Sequence, residues 1–359
     1  MTGAPRPLRI ATLSSAAVGH TQRWVAWFRG RGHDVAVWSL EPGPPELAAR
    51  ALPAAPLPRA LRYPLAAPAL RAALARFAPD VVDAHFVPNY GLLGALAGRR
   101  PLVVSPWGSD LLVTAAANAL QAARARFVLA RADAVIADGA NLAAAAERLG
   151  GGGRVHLVPW GIDLARFRMG AEREPGLLFS ARMHEPVYDI ATVIGGAAAE
   201  LAADPRARLV LAGEGSLTPE LERLAARTLP AGRYAFVGRV DIDAMAGWLA
   251  RAEVCVSASW SDSTSQSLIE CMACGALPVV SDIEGNRAWV TDGDGARTFA
   301  PGDAAGLARA LRSARGDAAW AAAARARNRA RVERDADAAV NMARVEALFA
   351  ALAAAPRRA

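Results

Sequence analysis

The chain has 359 residues, enough for about two domains with separate cores. With 53% hydrophobic and 21% charged residues, and a mean hydropathy of +0.17, it is not a disordered polar chain. It contains no lysine, so all 41 basic residues are arginine, which excludes a pyridoxal Schiff base, a phosphate-loop lysine and a kinase-type lysine. A net charge of +7 is modest over this length, so anionic small molecules or an anionic membrane surface are expected as partners, and nucleic acid is not.

Short apolar runs mark strands at 8–13, 34–40, 80–85, 101–105, 132–137 and 154–158, with Ala/Arg-rich stretches of helical period between them. A second series follows at 176–180, 207–212, 234–237, 253–257 and 276–281. Strand and helix alternation with continuous Val/Ile/Leu strands implies parallel sheets covered on both faces. The expected fold class is therefore α/β, with two Rossmann-like doubly wound domains facing across a cleft. The domain boundary is expected near 163–174, with the Gly150–Gly153 turn and the polar stretch 166–174 as linker candidates. This gives an N-terminal domain over 1–165, a C-terminal domain over 166–325 and terminal helices over 326–359 that return to the N-terminal domain. The arginine runs of those helices read as solvated faces.

Three cysteines, Cys255, Cys271 and Cys274, are too few for a disulfide framework and suggest a reducing, cytoplasmic compartment. Cys271 and Cys274 lie one helical turn apart and read as small core residues. No His/Glu/Asp cluster has metal-ligand spacing, so no metal is expected. No apolar run is long enough for a membrane helix. The stretch 8–18 leads into a helix-like segment without a clear cleavage site and reads as the first strand, not a signal peptide.

Strand ends carry the motifs. After the first strand, Ser14 to His20 is a small-residue loop before a helix, where Gly19 lets an anion or sugar hydroxyl approach backbone N–H groups. It lacks the G-x-G-x-x-G fingerprint of a dinucleotide site. In the second half, the hydroxyl-rich stretch from Asp262 through Ser263, Thr264, Ser265, Gln266 and Ser267 reads as a helix cap. Asp262 precedes the helix, and Glu270 lies about one and a half turns inside it. The helix end favours phosphate, and the two carboxylates accept from sugar hydroxyls.

This segment resembles the Glu-x7-Glu motif of the family-4 retaining glycosyltransferases of the GT-B fold, with aspartate for the first glutamate. The resemblance covers nearly the whole chain. It includes His20-Thr21-Gln22-Arg23-Trp24, Trp107-Gly108-Ser109-Asp110, Val158-Pro159-Trp160-Gly161-Ile162-Asp163, Ala212-Gly213-Glu214-Gly215, Val237-Gly238-Arg239-Val240 and Gly285-Asn286-Arg287. It implies that Glu270 holds the ribose hydroxyls, Asp262 the transferred sugar, and the backbone at Ser265, Gln266, Ser267 and Leu268 the diphosphate. Gly213 belongs to the same donor site, and Val237, Gly238 and Arg239 border the base. Arg182 matches the arginine that neutralises the leaving diphosphate. The family's lysine a few residues later is absent, and Arg239 or Arg287 is the expected substitute. His20, His85, Trp107 and Asp110 form the acceptor side, Trp107 standing where many relatives have histidine.

The resemblance implies a metal-independent transferase with no cofactor. It would move a sugar, with retention of configuration, from a nucleotide-sugar donor, expected to be UDP-linked, to a glycan or lipid-linked acceptor. Domain closure about a hinge near residue 163 would exclude water, and the expected location is the cytoplasm or the inner membrane surface. Two alternatives are a catalytically weak sugar-nucleotide-binding protein and a GT-B-type sugar-nucleotide epimerase. Bland readings also stand: Asp262 as a helix cap, Glu270 as an exposed helical residue, Arg182 as a surface charge and Trp107 as packing.

Overall fold

The structure, a computed structural model, describes residues 6–53 and 58–356. The chain divides into two compact units, one of residues 1–158 with 342–359 and the other of residues 159–341.

The first unit runs β1 (Arg9–Leu13), α1 (Gly19–Gly30), β2 (Asp34–Ser39), β3 (Arg50–Ala51), α2 (Arg59–Phe77), β4 (Val81–His85), α3 (Leu92–Ala97), β5 (Leu102–Ser105), α4 (Ala119–Leu129), β6 (Ala134–Ala137), α5 (Ala140–Ala146) and β7 (Val155–Leu157). Its parallel sheet has the order β3-β2-β1-β4-β5-β6-β7. Every residue of β4, β5 and β6 is buried, as expected for strands covered on both faces.

The second unit runs β8 (Glu174–Ala181), α6 (Ile190–Ala203), β9 (Arg208–Ala212), α7 (Thr218–Thr228), β10 (Tyr234–Gly238), α8 (Ile242–Arg251), β11 (Ala252–Ser257), α9 (Gln266–Cys274), β12 (Leu277–Ser281), α10 (Glu284–Arg287), β13 (Thr291–Asp292), β14 (Gly295–Phe299), α11 (Ala304–Gly316) and α12 (Ala318–Asp335). Its parallel sheet has the order β10-β9-β8-β11-β12-β14-β13. Two apolar clusters cover its faces, one with Leu178, Leu209 and Val254, the other with Phe179, Val210 and Cys255. The two-residue strands β3 and β13 and the polar β14 have too little apolar patterning to stand out in the sequence.

A final helix, α13 (Ala338–Ala354), belongs to the first unit from Met342 onward. Phe349 stacks on Phe28 with ring centroids 5.3 Å apart, and Glu346 pairs with His33 at 2.8 Å and Arg31 at 3.2 Å.

The division falls at 158/159 and 341/342, earlier and later than the expected 165/166 and 325/326. Gly150–Gly153 is no linker; Arg154 ties it down within the first unit, donating to the carbonyls of Gly151, Gly150 and Ala132. The stretch 166–174 packs on the second unit, where Phe167 is buried and Arg173 donates to Ala250, Ala252 and Cys274. α12 also belongs to that unit.

The C-terminal arginines are more than solvated faces. Arg325 donates to the Gly275 carbonyl, Arg329 to Phe167 and Ala273, and Arg331 to Trp289 and Ala288. In α11, Arg315 joins Glu200, Asp204 at 2.6 Å and Glu253 at 3.1 Å. Guanidinium, with five donors in a planar fork, can bridge several acceptors at once. All three cysteines are buried. Among the described residues, no helix is long and apolar enough to cross a membrane.

Candidate functional site

In each sheet the strand order reverses beside the unit's first strand, between β1 and β4 and between β8 and β11. Doubly wound sheets bind ligands beyond the carboxyl ends of strands at such reversals. The candidate side chains gather at these two places, each within its own unit.

In the second unit, Arg182 follows β8 directly and Asp262 precedes α9, after β11. The two form an ion pair, and the same guanidinium donates to Ser265 Oγ at 3.1 Å and Ser267 Oγ at 3.0 Å. The Tyr188 ring lies 4.3 Å from the guanidinium carbon. Burial alone would lower the Arg182 pKa, but the Asp262 carboxylate, as counter-charge and hydrogen-bond acceptor, overcomes it and raises the pKa above the usual guanidinium value. Its Nε is buried with no hydrogen-bond partner. Arg182 is thus neither a surface charge nor a loose one.

Local backbone geometry sets this position. The Arg182 N–H donates to the Ala212 carbonyl at 3.2 Å, and the His184 N–H to the Glu214 carbonyl at 3.1 Å. The strand end therefore continues alongside Ala212-Gly213-Glu214-Gly215. A Cβ on Gly213 would collide with the Arg182 carbonyl, and one on Gly215 with the His184 carbonyl. Gly213 also has φ +132°, a conformation open to glycine. Gly285 plays the same part for Asp262, since a Cβ there would collide with the Asp262 and Ser263 carbonyls. Behind it, Asn286 donates to the Ser281 carbonyl at 2.9 Å, and Ser281 Oγ to the Ser259 carbonyl at 2.6 Å. In this geometry Gly213 and Gly285 are scaffolding for charged neighbours.

The expected hydroxyl cap of α9 is absent. Ser265 occupies the cap position without a side-chain cap bond, because its hydroxyl faces Arg182. Gln266 opens the helix, and its Nε2 is buried with no hydrogen-bond partner. Leu268 is a core residue at 2% exposure, so only its backbone is available to a ligand. Glu270 is 8% exposed, against the reading of an exposed helical residue. Val237 and Gly238 end β10, and the Gly238 carbonyl accepts from the Gly213 N–H at 2.8 Å. Of the two arginines expected to replace the lysine, Arg287 is bound to Asp282 at 2.6 and 2.9 Å. Arg239 is exposed.

Two residues here escaped the sequence reading. Tyr188 sits in the Pro186–Tyr188 turn, which is held by Trp260 N–H donating to the Val187 carbonyl at 2.8 Å. His184 is buried, with Nδ1 2.8 Å from Thr218 Oγ1 and its ring edge-on to Phe236 at 5.7 Å. Burial pulls its pKa down. Their only sequence signal is proximity to Arg182.

In the first unit, the loop after β1 meets the end of β4. Ser14 Oγ lies 2.7 Å from Thr21 Oγ1, Ala16 N–H donates to Ser39 Oγ at 3.0 Å, and Gly19 opens α1 with free space around it. His85 Nε2 lies 2.9 Å from Asp83 Oδ2, and Trp107 Nε1 donates to His85 Nδ1 at 3.3 Å, which selects the Nε2–H tautomer. The Trp107 ring meets His20, His85 and Phe86 edge-on at 5.9–6.0 Å. His20 has its pKa lowered to about 4 by burial, with Arg23 and His85 adding to the effect. Phe86 has φ +65°, costly for a non-glycine residue and typical of functional sites.

Asp110 is placed differently from an acceptor-facing carboxylate. Its two oxygens accept from the N–H groups of Val87, Trp107 and Leu111 at 2.9–3.1 Å, and it is 1% exposed. It clamps the loops after β4 and β5 together. Burial raises its pKa to about 6 against the effect of those three donors.

Residues 9–139 match the family model "Glycosyl transferase 4-like", and residues 174–317 match "Glycosyl transferases group 1". The chain belongs to the family-4 type of GT-B glycosyltransferases. It is 34% identical over 201 residues to D-inositol 3-phosphate glycosyltransferase 2 of Catenulispora acidiphila, covering 49% of this chain and 47% of that protein. It is 32% identical over 161 residues to a phosphatidyl-myo-inositol mannosyltransferase of Mycolicibacterium smegmatis, covering 43% of this chain and 41% of that one. These matches therefore span about half of each protein or less.

The fold is similar to that of sucrose-phosphate synthase from Thermosynechococcus elongatus, with TM-score 0.83, 20% identity, and coverage of 97% of this chain and 100% of that one. It is also similar to Anabaena HepE in complex with UDP and glucose, with TM-score 0.80, 17% identity, and coverage of 96% and 100%.

Proposed function

We propose that the protein transfers a sugar from a nucleoside-diphosphate donor, with UDP the expected nucleotide, to a hydroxyl of a glycan or lipid-linked acceptor, with retention of configuration and without a metal. The observation that carries this reading is the buried Arg182 held by Asp262, Ser265 and Ser267 at the start of α9. A fixed cation beside a helix N-terminus suits a diphosphate, and it stabilises the negative charge that grows on the departing phosphate in the transition state. The binding of UDP and glucose by HepE supports the choice of nucleotide.

In this mechanism Arg182 and the first-turn N–H groups of α9 hold the diphosphate. Arg239 supplies the second positive charge in place of the absent lysine. Glu270 accepts from the ribose hydroxyls, and Asp262 from the sugar. The leaving phosphate takes the proton of the attacking acceptor hydroxyl on the same face of the sugar, so no protein nucleophile is needed. His20 and Trp107 bind the acceptor in the first unit; His85, expected on the acceptor side, is instead buried with both ring nitrogens engaged by Asp83 and Trp107 and orients the Trp107 ring, while Asp110 positions the loop carrying it.

The test is thermal unfolding with UDP, GDP, ADP, NAD and UDP-sugars, followed by transfer assays. A ligand at 100 times its dissociation constant adds about 2.7 kcal/mol. Stabilisation by UDP and one of its sugars, lost in Arg182→Ala, is expected. Stabilisation by NAD alone overturns the reading.

A further inference from the structure

Between β3 and the second half of α2 lies a cavity of about 500 Å³ that the proposed transfer does not use. Arg9, Arg50 and Arg76 surround it, and Trp38, Leu52 and Phe77 supply apolar wall. Arg9 opens β1, whereas the candidate residues of this unit follow that strand's other end. The Arg9 and Arg50 guanidinium carbons lie 4.6 and 5.2 Å from the centroid of the same Phe77 ring, and Arg50 is 5.0 Å from that of Trp38. Two like charges thus share one aromatic ring. Arg9 meets two carboxylates, Asp34 at 3.5 Å from its guanidinium on an exposed side chain and Asp80, which accepts from its backbone N–H at 2.8 Å, whereas no acidic residue is among the described residues lining the cavity.

Guanidinium groups recognise phosphate and carboxylate oxygens bidentately, and a cavity of this size takes more than an inorganic ion. We propose that it binds an amphiphilic anion, with a phosphate monoester or similar headgroup between Arg9, Arg50 and Arg76 and its apolar part against Leu52 and Phe77. The headgroup chemistry is common to a soluble alkyl phosphate and to a membrane lipid, and the experiment separates the two.

Full-length protein is titrated calorimetrically with hexyl phosphate and with inorganic phosphate, and sedimented with vesicles of phosphatidylcholine containing phosphatidic acid. The comparison is the double variant Arg50→Ser/Arg76→Ser, both sites being exposed. Its melting temperature and its response to UDP serve as controls for folding and for the donor site. Saturable binding of hexyl phosphate is expected, at least 10-fold tighter than inorganic phosphate and at least 10-fold weaker in the variant. Vesicle binding that falls in parallel supports the site and identifies a lipid source; vesicle binding that is unchanged while hexyl phosphate binding is lost supports it with a soluble source. Equal hexyl phosphate binding by variant and parent, equal affinity for inorganic phosphate, or no saturable binding each overturns the proposal.

Discussion

Arg182 and Asp262, 80 residues apart in the chain, are joined as an ion pair at the head of α9. The pair gathers into one place what β8, β11 and α9 each carry separately. It also makes the two side chains interdependent, because removing one leaves the other partly buried without its counter-charge.

Arg182→Ala should abolish transfer and weaken UDP binding at least 10-fold while the fold persists. Asp262→Ala should weaken UDP-sugar more than UDP, and Glu270→Ala should weaken both alike. Calorimetric titration of each variant with UDP and UDP-glucose decides it; unchanged UDP affinity in Arg182→Ala removes the donor site from this position.

Tyr188 holds Arg182 through its ring face, and a partly desolvated cation–π contact contributes about 1–2 kcal/mol. Tyr188→Ala should therefore weaken UDP binding roughly 5- to 30-fold, while Tyr188→Phe should restore most of it. If Tyr188→Phe is as impaired as Tyr188→Ala, the hydroxyl and not the ring is what matters.

Gly213→Ala combines a positive φ with a collision against the Arg182 carbonyl, and should cost about 3 kcal/mol. Gly232 also has positive φ, at +74°, but open space around it; its alanine variant should cost only about 1 kcal/mol. The comparison by urea unfolding separates crowding from backbone strain, and equal losses would mean that crowding contributes nothing.

Arg315 bridges Glu200, Asp204 and Glu253, so Arg315→Ala should destabilise the second unit by about 3–5 kcal/mol, leaving partly buried carboxylates unpaired. Arg315→Lys should recover less than half of this, because an ammonium lacks the planar fork. Differential scanning calorimetry of both variants is the measurement.

His20 has a folded pKa of about 4 against 6.5 when unfolded. Between these values the unfolded chain binds the extra proton, so acidification from pH 7 to 4.5 should erode stability, on the order of 1–2 kcal/mol from this group. His20→Asn removes the titration. Its melting temperature should therefore gain on that of the parent as pH falls, and parallel curves would show that His20 is not buried in its neutral form.

The strand runs, the α/β alternation and the position of Asp262 and Glu270 about a helix start were determined by sequence alone, because buried parallel strands and amphipathic helices carry periodic apolar patterns. Apolar pattern placed Arg182 at the end of a buried strand, but its role was legible only through the resemblance to the family's arginine. Tertiary structure decided the rest. Gly213 and Gly285 support Arg182 and Asp262, a role set by backbone segments distant in the chain. Asp110 binds three backbone N–H groups, and one of them, that of Val87, comes within reach only once β4 and β5 are adjacent. The arginines of α11 and α12 reach carboxylates and carbonyls on other elements, so composition alone reads them as solvent-facing. Local pattern encodes which element forms; what a side chain meets there depends on chain segments tens of residues away.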